Sequence, residues 1–429
     1  MKSFSIPYGK GVQTVEIAES NLLAVMESRV NQFDPRKSEI ELIEAALVNP
    51  IESPKLSEIV QNKKNIVIIT SDHTRPVPSH LTMPILLSQI RAGNPDIKIT
   101  ILVATGCHRP MSHQERIDRF GQKIVNEEEI AMHTATDDAS MVHIGTLPSG
   151  GALWLNRLVV EAECVIAEGF IEPHFFAGFS GGRKAVLPGV ASLNTVMANH
   201  CSKFIADPNS RAGILANNPI HKDMLYAAEQ VNLAFILNVI INDKKQVIAA
   251  YAGHRERAHE AGCTFLNELA QVEGRVSDIV ITSNGGYPLD QNIYQAVKGM
   301  TSGEVLCREG GTIIMVAACN DGHGGESFYQ ALAEADHPDS VLKEVMATPQ
   351  EQTKADQWEY QILARILSKH RVILVTDQCD PAMIQTMHLD HAKTVQDALH
   401  RIMPDYPEAK ITIIPDGVAV IVKAKECHT

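Results

Sequence analysis

Residues 172–200, EPHFFAGFSGGRKAVLPGVASLNTVMANH, carry a histidine near each end and a lysine between them. Around Lys184 stand Gly178, Ser180, Gly181, Gly182 and Arg183, a run too rich in glycine for a helix interior and too irregular for a strand. It reads as a loop whose bare backbone comes close to a ligand. From Ser192 the spacing of Leu193, Val196 and Met197 predicts a helix that ends at His200. His174, Lys184 and His200 can therefore face one pocket. His174 suits proton transfer, since imidazole titrates near neutral pH, and His108 in TGCHRP (105–110) offers a second such group. Lys184 reads either as a cation for a phosphate or as a covalent amine, and its surroundings favour the cation. His200 reads as a helix-end cation or as a metal ligand, the cap being the plainer of the two.

Further candidates lie outside this stretch. Arg75, in SDHTRPVPSH (71–80), offers a guanidinium fork for a carboxylate, the plainer alternative being a surface ion pair; Asp72 and Thr74 would hold a neighbouring polar group. Gln295 and Lys298 stand three apart on an expected helix and share a face. SGGRK lacks the GxxxxGK[ST] spacing of a nucleotide triphosphatase, yet its N–H groups suit a phosphorylated cofactor. Cys107 and Cys201, beside His108 and His200, read as packing residues.

The elements that position these side chains follow a repeated logic. Asn65–Thr70 and Ile99–Ala104 are apolar runs of the kind buried on both faces of a parallel sheet, and each runs into a polar loop and then a helix, over Leu81–Ala92 and from Ser112 to Phe120. Cys164–Glu168 is a third strand, leading into the histidine–lysine stretch. In open α/β sheets ligands bind beyond the carboxyl ends of the strands, so the three loops can converge. Strands are also expected over Ala234–Ile241, Gln246–Tyr251, Ser277–Ser283, Thr312–Ala317, Arg371–Thr376 and Lys410–Ile414, with helices over Arg255–Leu269, from Asn292, over Asp356–Ser368 and over Val395–Ile402. Residues 1–60 read as an extended segment followed by helices that bury Ile40, Leu42, Ile43, Ala46 and Leu47. The whole is an α/β protein of strand–loop–helix units with largely parallel sheets, divided into residues 1–270 and 271–429, with the site in the cleft between them.

The composition sets the class. At 429 residues, 45% hydrophobic and 21% charged, the chain is an ordinary globular protein of two or three domains. A net charge of −13 argues against nucleic acid or an anionic membrane as partner, and an anion must be met by locally concentrated positive charge. Eight cysteines without a CxxC pair exclude a zinc knuckle and a dithiol motif. With no apolar run near the ~20 residues of a membrane span and no signal-peptide core, a soluble, cytoplasmic protein is expected.

SDHTRPVPSH, TGCHRP, EPHFFAGFSGGRKAVLPG (172–189), MANH (197–200) and NGGYPLDQNIYQAVKG (284–299) together resemble the motifs of the nickel-pincer lactate racemase family, over nearly the whole chain. The resemblance implies racemisation of lactate through pyruvate, by hydride transfer coupled to proton transfer. The implied cofactor is nickel(II) pyridinium-3,5-bisthiocarboxylic acid mononucleotide, the nickel-pincer nucleotide, attached covalently at Lys184 through a thioamide, with His200 as the protein ligand to nickel. By the same resemblance His108 and His174 are interchangeable general acid and base. Asp72, His73, Thr74 and Arg75 meet cofactor or substrate, while Tyr294, Gln295 and Lys298 meet the substrate from the second domain. Proteins that build and load the cofactor are implied partners. Another 2-hydroxy acid such as malate is the alternative substrate. The residues alone also admit a hydro-lyase or aldolase-like enzyme using His108, His174 and a plain metal, or a non-catalytic binder of small carboxylates or phosphates.

Overall fold

The computed structural model describes residues 1–106 and 109–425. Two six-stranded sheets organise it. In the first the strands lie in the order Val247–Gly253, Leu233–Ile241, Val165–Phe170, Asn65–Ser71, Lys98–Ala104, Glu129–Met132. All neighbours in it are parallel except the pair Leu233–Ile241 and Val247–Gly253. The second sheet is parallel throughout, in the order Asp390–Ala392, Arg371–Val375, Cys307–Val316, Ser277–Ser283, Ile411–Ile414, Leu22–Val25.

The central strands are buried from end to end, Ile66 to Thr70 and Val165 to Phe170 among them, because helices cover both faces. From Asn65–Ser71 the chain winds outward on one side, then returns to place Val165–Phe170 on the other. These two adjacent strands thus form a topological switch point, where the loops beyond the strand ends splay apart and leave a crevice. Glu168 braces it. Its buried carboxylate accepts hydrogen bonds from Thr70 Oγ1 (2.6 Å), Ser79 Oγ (2.5 Å) and Thr82 Oγ1, which ties the start of the Ser79–Gly93 helix to both strands.

The beginning of the chain is extended, as expected, and joins the second sheet. Lys2–Tyr8 and Gly11–Ile17 form an antiparallel hairpin whose Ile6, Val15 and Ile17 pack on the second sheet, and Leu22–Val25 pairs with Ile411–Ile413 at the edge of that sheet. The first 25 residues therefore pack with the unit that the expected division at residue 270 leaves to the rest of the chain. In the Glu39–Val48 helix Ile43 and Leu47 are buried as expected, but Ile40 in the first turn is exposed. A hairpin over Met141–Thr146 and Ala152–Asn156 adds a connection that the sequence reading does not contain. No helix among the described residues is long and apolar enough to cross a membrane.

Candidate active site

The stretch from Glu172 to His200 folds as a tight hairpin, a turn of 3-10 helix and a short α-helix. Pro173–His174 pairs antiparallel with Gly178–Phe179, His174 opposite Gly178, and Ser180 N–H donates to Glu172 O at 2.9 Å to close the loop. Phe175, Phe176 and Ala177 form the tip. Lys184 lies in the 3-10 turn Gly182–Ala185. Gly181 precedes it with φ +82°, and a Cβ there would stand 2.8 Å from both Phe170 O and Asn238 Oδ1. Only glycine fits so close an approach in that conformation. Ser192 caps the Leu193–Asn199 helix by accepting from Thr195 N–H, and His200 occupies the C-terminal cap.

Phe176 gathers the three expected side chains. The His174 ring lies 4.5 Å from it and the His200 ring 5.0 Å, both edge-on, and Lys184 Nζ stands 5.8 Å from the ring centre. The second unit meets this cluster. Lys298 Nζ lies 5.9 Å from the Phe175 ring and donates to Gln295 Oε1 at 2.6 Å, both residues lying on the Ile293–Leu306 helix. Tyr294 Oη, on the same helix, accepts a 3.1 Å hydrogen bond from Trp358 Nε1, and Trp358 packs on His200. Gln350 Nε2 to Ala198 O and Gln361 Nε2 to Ser202 O, each 2.9 Å, hold the two units together nearby.

The loop after Asn65–Ser71 brings the remaining expected residues to the rim. Asp72 Oδ1 accepts from Thr74 N (3.0 Å) and Thr74 Oγ1 (2.6 Å), and Arg75 Nη1 reaches Thr74 Oγ1 at 3.2 Å. The charge of Arg75 acts on His174, Lys184 and Lys298 alike, which places it on the same cleft. His73 stands apart from the aromatic cluster. It is near enough to Glu115 to help lower that carboxyl, and its buried Nδ1 has no partner among the described residues. His108 lies outside the described residues.

The electrostatics follow from enclosure. Burial, then the charges of Lys184, Lys298, His200 and Arg75, hold His174 well below the usual imidazole range. Burial, then Arg183 and Arg75, hold the Lys184 amine well below the usual lysine range, with Glu172 opposing. Burial and Lys184 bring His200 down to about 3. Desolvation penalises the charged form of each, so the two imidazoles are neutral at pH 7 and the Lys184 amine is shifted toward its free form. His200 is 4% exposed and its Nδ1 has no hydrogen-bond partner among the described residues. Among the described residues no cluster of three or more His, Cys, Asp or Glu side chains is arranged to hold a metal.

Sequence reasoning missed several residues of this cleft. Trp358 and Glu359 lie on the Gln357–Leu367 helix, whose Gln357, Glu359 and Gln361 are all buried. That is an unusual density of buried polar groups on one short helix, but the burial shows only in the folded chain, so the sequence carries no signal for it. Glu172 and Asp356 add carboxylates whose charges reach Lys298 and Tyr294 respectively.

Known proteins match along the whole chain. The lactate racemase N-terminal domain family matches residues 8–213, and the lactate racemase C-terminal domain family residues 272–422. The lactate racemase of Lactiplantibacillus plantarum is 53% identical over 424 residues, and that of Thermoanaerobacterium thermosaccharolyticum 50% identical over 428; each alignment covers 99% of this chain and 100% of the relative. The lactate racemase apoprotein structure from T. thermosaccharolyticum superposes with a TM-score of 0.95 at 49% identity, covering 98% of this chain and 100% of that one. A Thermotoga maritima protein, with a TM-score of 0.66 at 20% identity over 92% of this chain and 99% of its own, shares the fold. The chain belongs to the lactate racemase family.

Proposed function

We propose that the protein interconverts L- and D-lactate through pyruvate, using a nickel-pincer nucleotide tethered to Lys184, with His108 and His174 exchanging the hydroxyl proton. One observation carries this reading. His174, Lys184 and His200 surround Phe176, facing Lys298 and Gln295 from the other unit. The identity to two curated lactate racemases over 99% of the chain supports the choice of substrate.

The residues present fit the cofactor. Burial and neighbouring cations shift the Lys184 amine toward the free form that makes a covalent bond, and a neutral imidazole with an unpartnered Nδ1 is the form that binds a metal. One histidine is too few to retain nickel alone, so His200 would hold it together with sulfur and carbon donors brought by the cofactor, a donor set that suits nickel(II). When bound, the cofactor supplies an acceptor for hydride at the substrate Cα, which no side chain provides.

The chain supplies the rest. Lys298 and Gln295 hold the substrate carboxylate, with Arg75 reaching it from the other wall of the cleft. His174 Nδ1 lies 3.3 Å from Ala177 N–H and 3.5 Å from Phe176 N–H, so the neutral ring carries its proton on Nε2 and offers a donor there. The base form is the other tautomer, reached by giving up these two long contacts. Racemisation needs one proton acceptor for each orientation of the hydroxyl, and His174 and His108 take one each. Phe175, Phe176 and Trp358 exclude water from the neighbourhood of the reacting Cα. Loading requires the proteins that build the cofactor. Six cysteines of the described residues are free thiols, which suits a reducing cytoplasm.

The test is intact-mass and metal analysis of protein made with the cofactor-building enzymes, followed by a chiral assay on both lactate enantiomers. The expected result is added mass on Lys184, bound nickel and racemisation. Unmodified, nickel-free protein that racemises lactate overturns the mechanism, and loaded protein inert on lactate moves the assignment to another 2-hydroxy acid.

A further inference from the structure

Arg183 stands immediately before Lys184 and heads the largest fully buried side chains, at 0% exposure. No carboxylate pairs with it among the described residues. Its guanidinium instead donates to three main-chain carbonyls of one loop: Nη2 to Ala177 O at 2.7 Å, and Nη1 to Phe179 O at 2.8 Å and Gly181 O at 3.3 Å. Two histidines complete its shell. His221 Nδ1, on the Pro219–Gln230 helix, accepts from Nε at 2.9 Å, and His259 Nε2, on the Arg257–Ala270 helix, lies 3.1 Å from Nη1. Both rings are held neutral, His221 at about 3 and His259 well below its usual value, by burial first and by the Arg183 charge second. Burying a cation without a counter-ion costs several kcal/mol. A fold that needed only to fill this volume would be served by an apolar side chain.

The placement suggests what the charge does instead. The pinned carbonyls belong to alternate residues of the hairpin that presents His174, Phe175 and Phe176, and the same residue leads directly into Lys184. One planar fork thus sets the hairpin and the start of the lysine turn relative to each other, and through the two histidines anchors both to flanking helices.

We propose that Arg183 is the positioning residue for covalent loading of the cofactor: it fixes the 177–181 main chain so that the Lys184 amine is aimed into the cleft beside His174 and His200. This rests on Lys184 being the attachment site. In the condensation a C–N bond forms at Nζ, the C–O bond of a thiocarboxylic acid breaks, and the oxygen leaves as water, carrying the acid's own proton and one amine proton, to give a thioamide. Arg183 also places a permanent positive charge beside the amine, alongside Arg75 and Lys298, with Glu172 the opposing charge and His174 and His200 neutral neighbours. Together with burial these charges lower the proton affinity of Nζ and raise the share of free amine that nucleophilic attack requires.

Arg183→Gln and Arg183→Lys, each made with the cofactor-building enzymes, test the proposal. The fraction of chains carrying the cofactor mass on Lys184 is expected to fall at least about tenfold in Arg183→Gln. Arg183→Lys, which keeps the charge but not the fork, is expected to fail in the same way. On apo protein, peptide mass spectrometry after a brief pulse of acetic anhydride across pH 6–10 reads Lys184 alone. Arg183→Gln should shift that profile to higher pH, each unit lowering the free amine about tenfold at neutral pH, while Arg183→Lys leaves it in place. A role confined to packing would lower thermal stability without moving the profile. If Arg183→Gln does not fold, His221→Gln and His259→Gln remove one anchor each and should lower the loaded fraction. Folded Arg183 variants with wild-type loading and a wild-type acylation profile overturn the proposal. Wild-type protein that takes up the cofactor at another residue overturns the attachment at Lys184 instead.

Discussion

Trp358 closes over His200 from the opposite unit: their ring centroids lie 5.1 Å apart at 72°, a T-shaped contact. The indole Nε1–H is committed to Tyr294 Oη, and Tyr294 packs edge-on against Phe328. A continuous line of rings therefore crosses the cleft from Phe175 through Phe176, His200 and Trp358 to Tyr294. Its consequence is a desolvated imidazole whose orientation depends on both halves of the molecule.

Metal and tether should separate on mutation. His200→Ala is expected to retain the cofactor mass on Lys184 while losing nickel, and Lys184→Ala to lose both. His174→Ala should keep nickel and mass and lose most turnover, general acid–base groups contributing about 10²–10⁴-fold. Metal content and intact mass on the same preparations decide it. Loss of nickel from His174→Ala would mean that ligand and acid–base group have been confused.

The carboxylate end makes a different prediction. Lys298 Nζ and Gln295 Oε1 form a preset pair, and a charged hydrogen bond to a bound carboxylate is worth about 1.5–3 kcal/mol. Lys298→Met should therefore raise KM for both enantiomers on the order of tenfold to a hundredfold, with nickel content unchanged. An unaltered KM would remove Lys298 from the substrate site.

Glu359 gives a pH signature. It is 0% exposed, both carboxylate oxygens lack partners among the described residues, and burial raises its carboxyl to about 8 despite the opposing charge of Lys298. Between the ordinary carboxyl value of about 4.5 and about 8, the folded chain keeps a proton that the unfolded chain has released. Stability contributed by this group is thus full at low pH and declines as pH rises through that window. Glu359→Gln should flatten the decline, melting a few degrees above the wild type at pH 8 and not at pH 5. Thermal melts of the apo protein across pH 5–9 check this, and parallel curves for the two proteins would rule it out.

Much of the fold around this site was legible in the sequence, for identifiable reasons. The β-branched run at 65–70 and the apolar run at 99–104 mark strands buried on both faces, and the polar loops after them mark the crevice side of the sheet. The Leu193, Val196 and Met197 spacing located the helix that delivers His200. What escaped is what depends on distant pairing. Leu22–Val25 joins Ile411–Ile413 at the other end of the chain, a register that no local pattern announces. Trp358 and Glu359 belong to the site only because their helix docks across His200, and along the sequence they sit in an ordinary amphipathic segment. In the sequence Arg183 is one member of the glycine-rich run around Lys184, and nothing there shows that its carbonyl partners turn it inward.

His133 predicts acid sensitivity. Its Nε2–H donates to Ala191 O at 3.0 Å and its Nδ1 accepts from Asn156 Nδ2 at 3.2 Å, so the neutral ring satisfies both neighbours. Burial lowers it to about 4 from an ordinary 6.5. Within that window the unfolded chain takes up a proton that the folded chain refuses, so stability is lost as pH falls below about 6.5, by on the order of 3 kcal/mol by pH 4. His133→Gln can accept from Asn156 and donate to Ala191 without titrating, and should lose less stability than the wild type between pH 7 and pH 4. Denaturant melts at the two pH values test it, equal losses being the contrary result.

Gly181→Ala tests the geometry of the lysine turn. The backbone there has φ +82°, and the new methyl carbon would stand 2.8 Å from Phe170 O and from Asn238 Oδ1, the latter already accepting the Gly182 N–H at 2.7 Å. Either the left-handed conformation is strained or the Asn238 contact opens, at a cost of about 1–3 kcal/mol. Since Gly181 O is also one of the carbonyls held by Arg183, relaxation of this residue displaces the turn that carries Lys184. The expected outcome is a folded protein, a few degrees less stable, in which the fraction loaded at Lys184 falls severalfold while the nickel per loaded chain is unchanged, because His200 lies on a separate helix. Mass analysis of loading, read beside metal content per loaded chain, distinguishes this from general unfolding, which would lower both together.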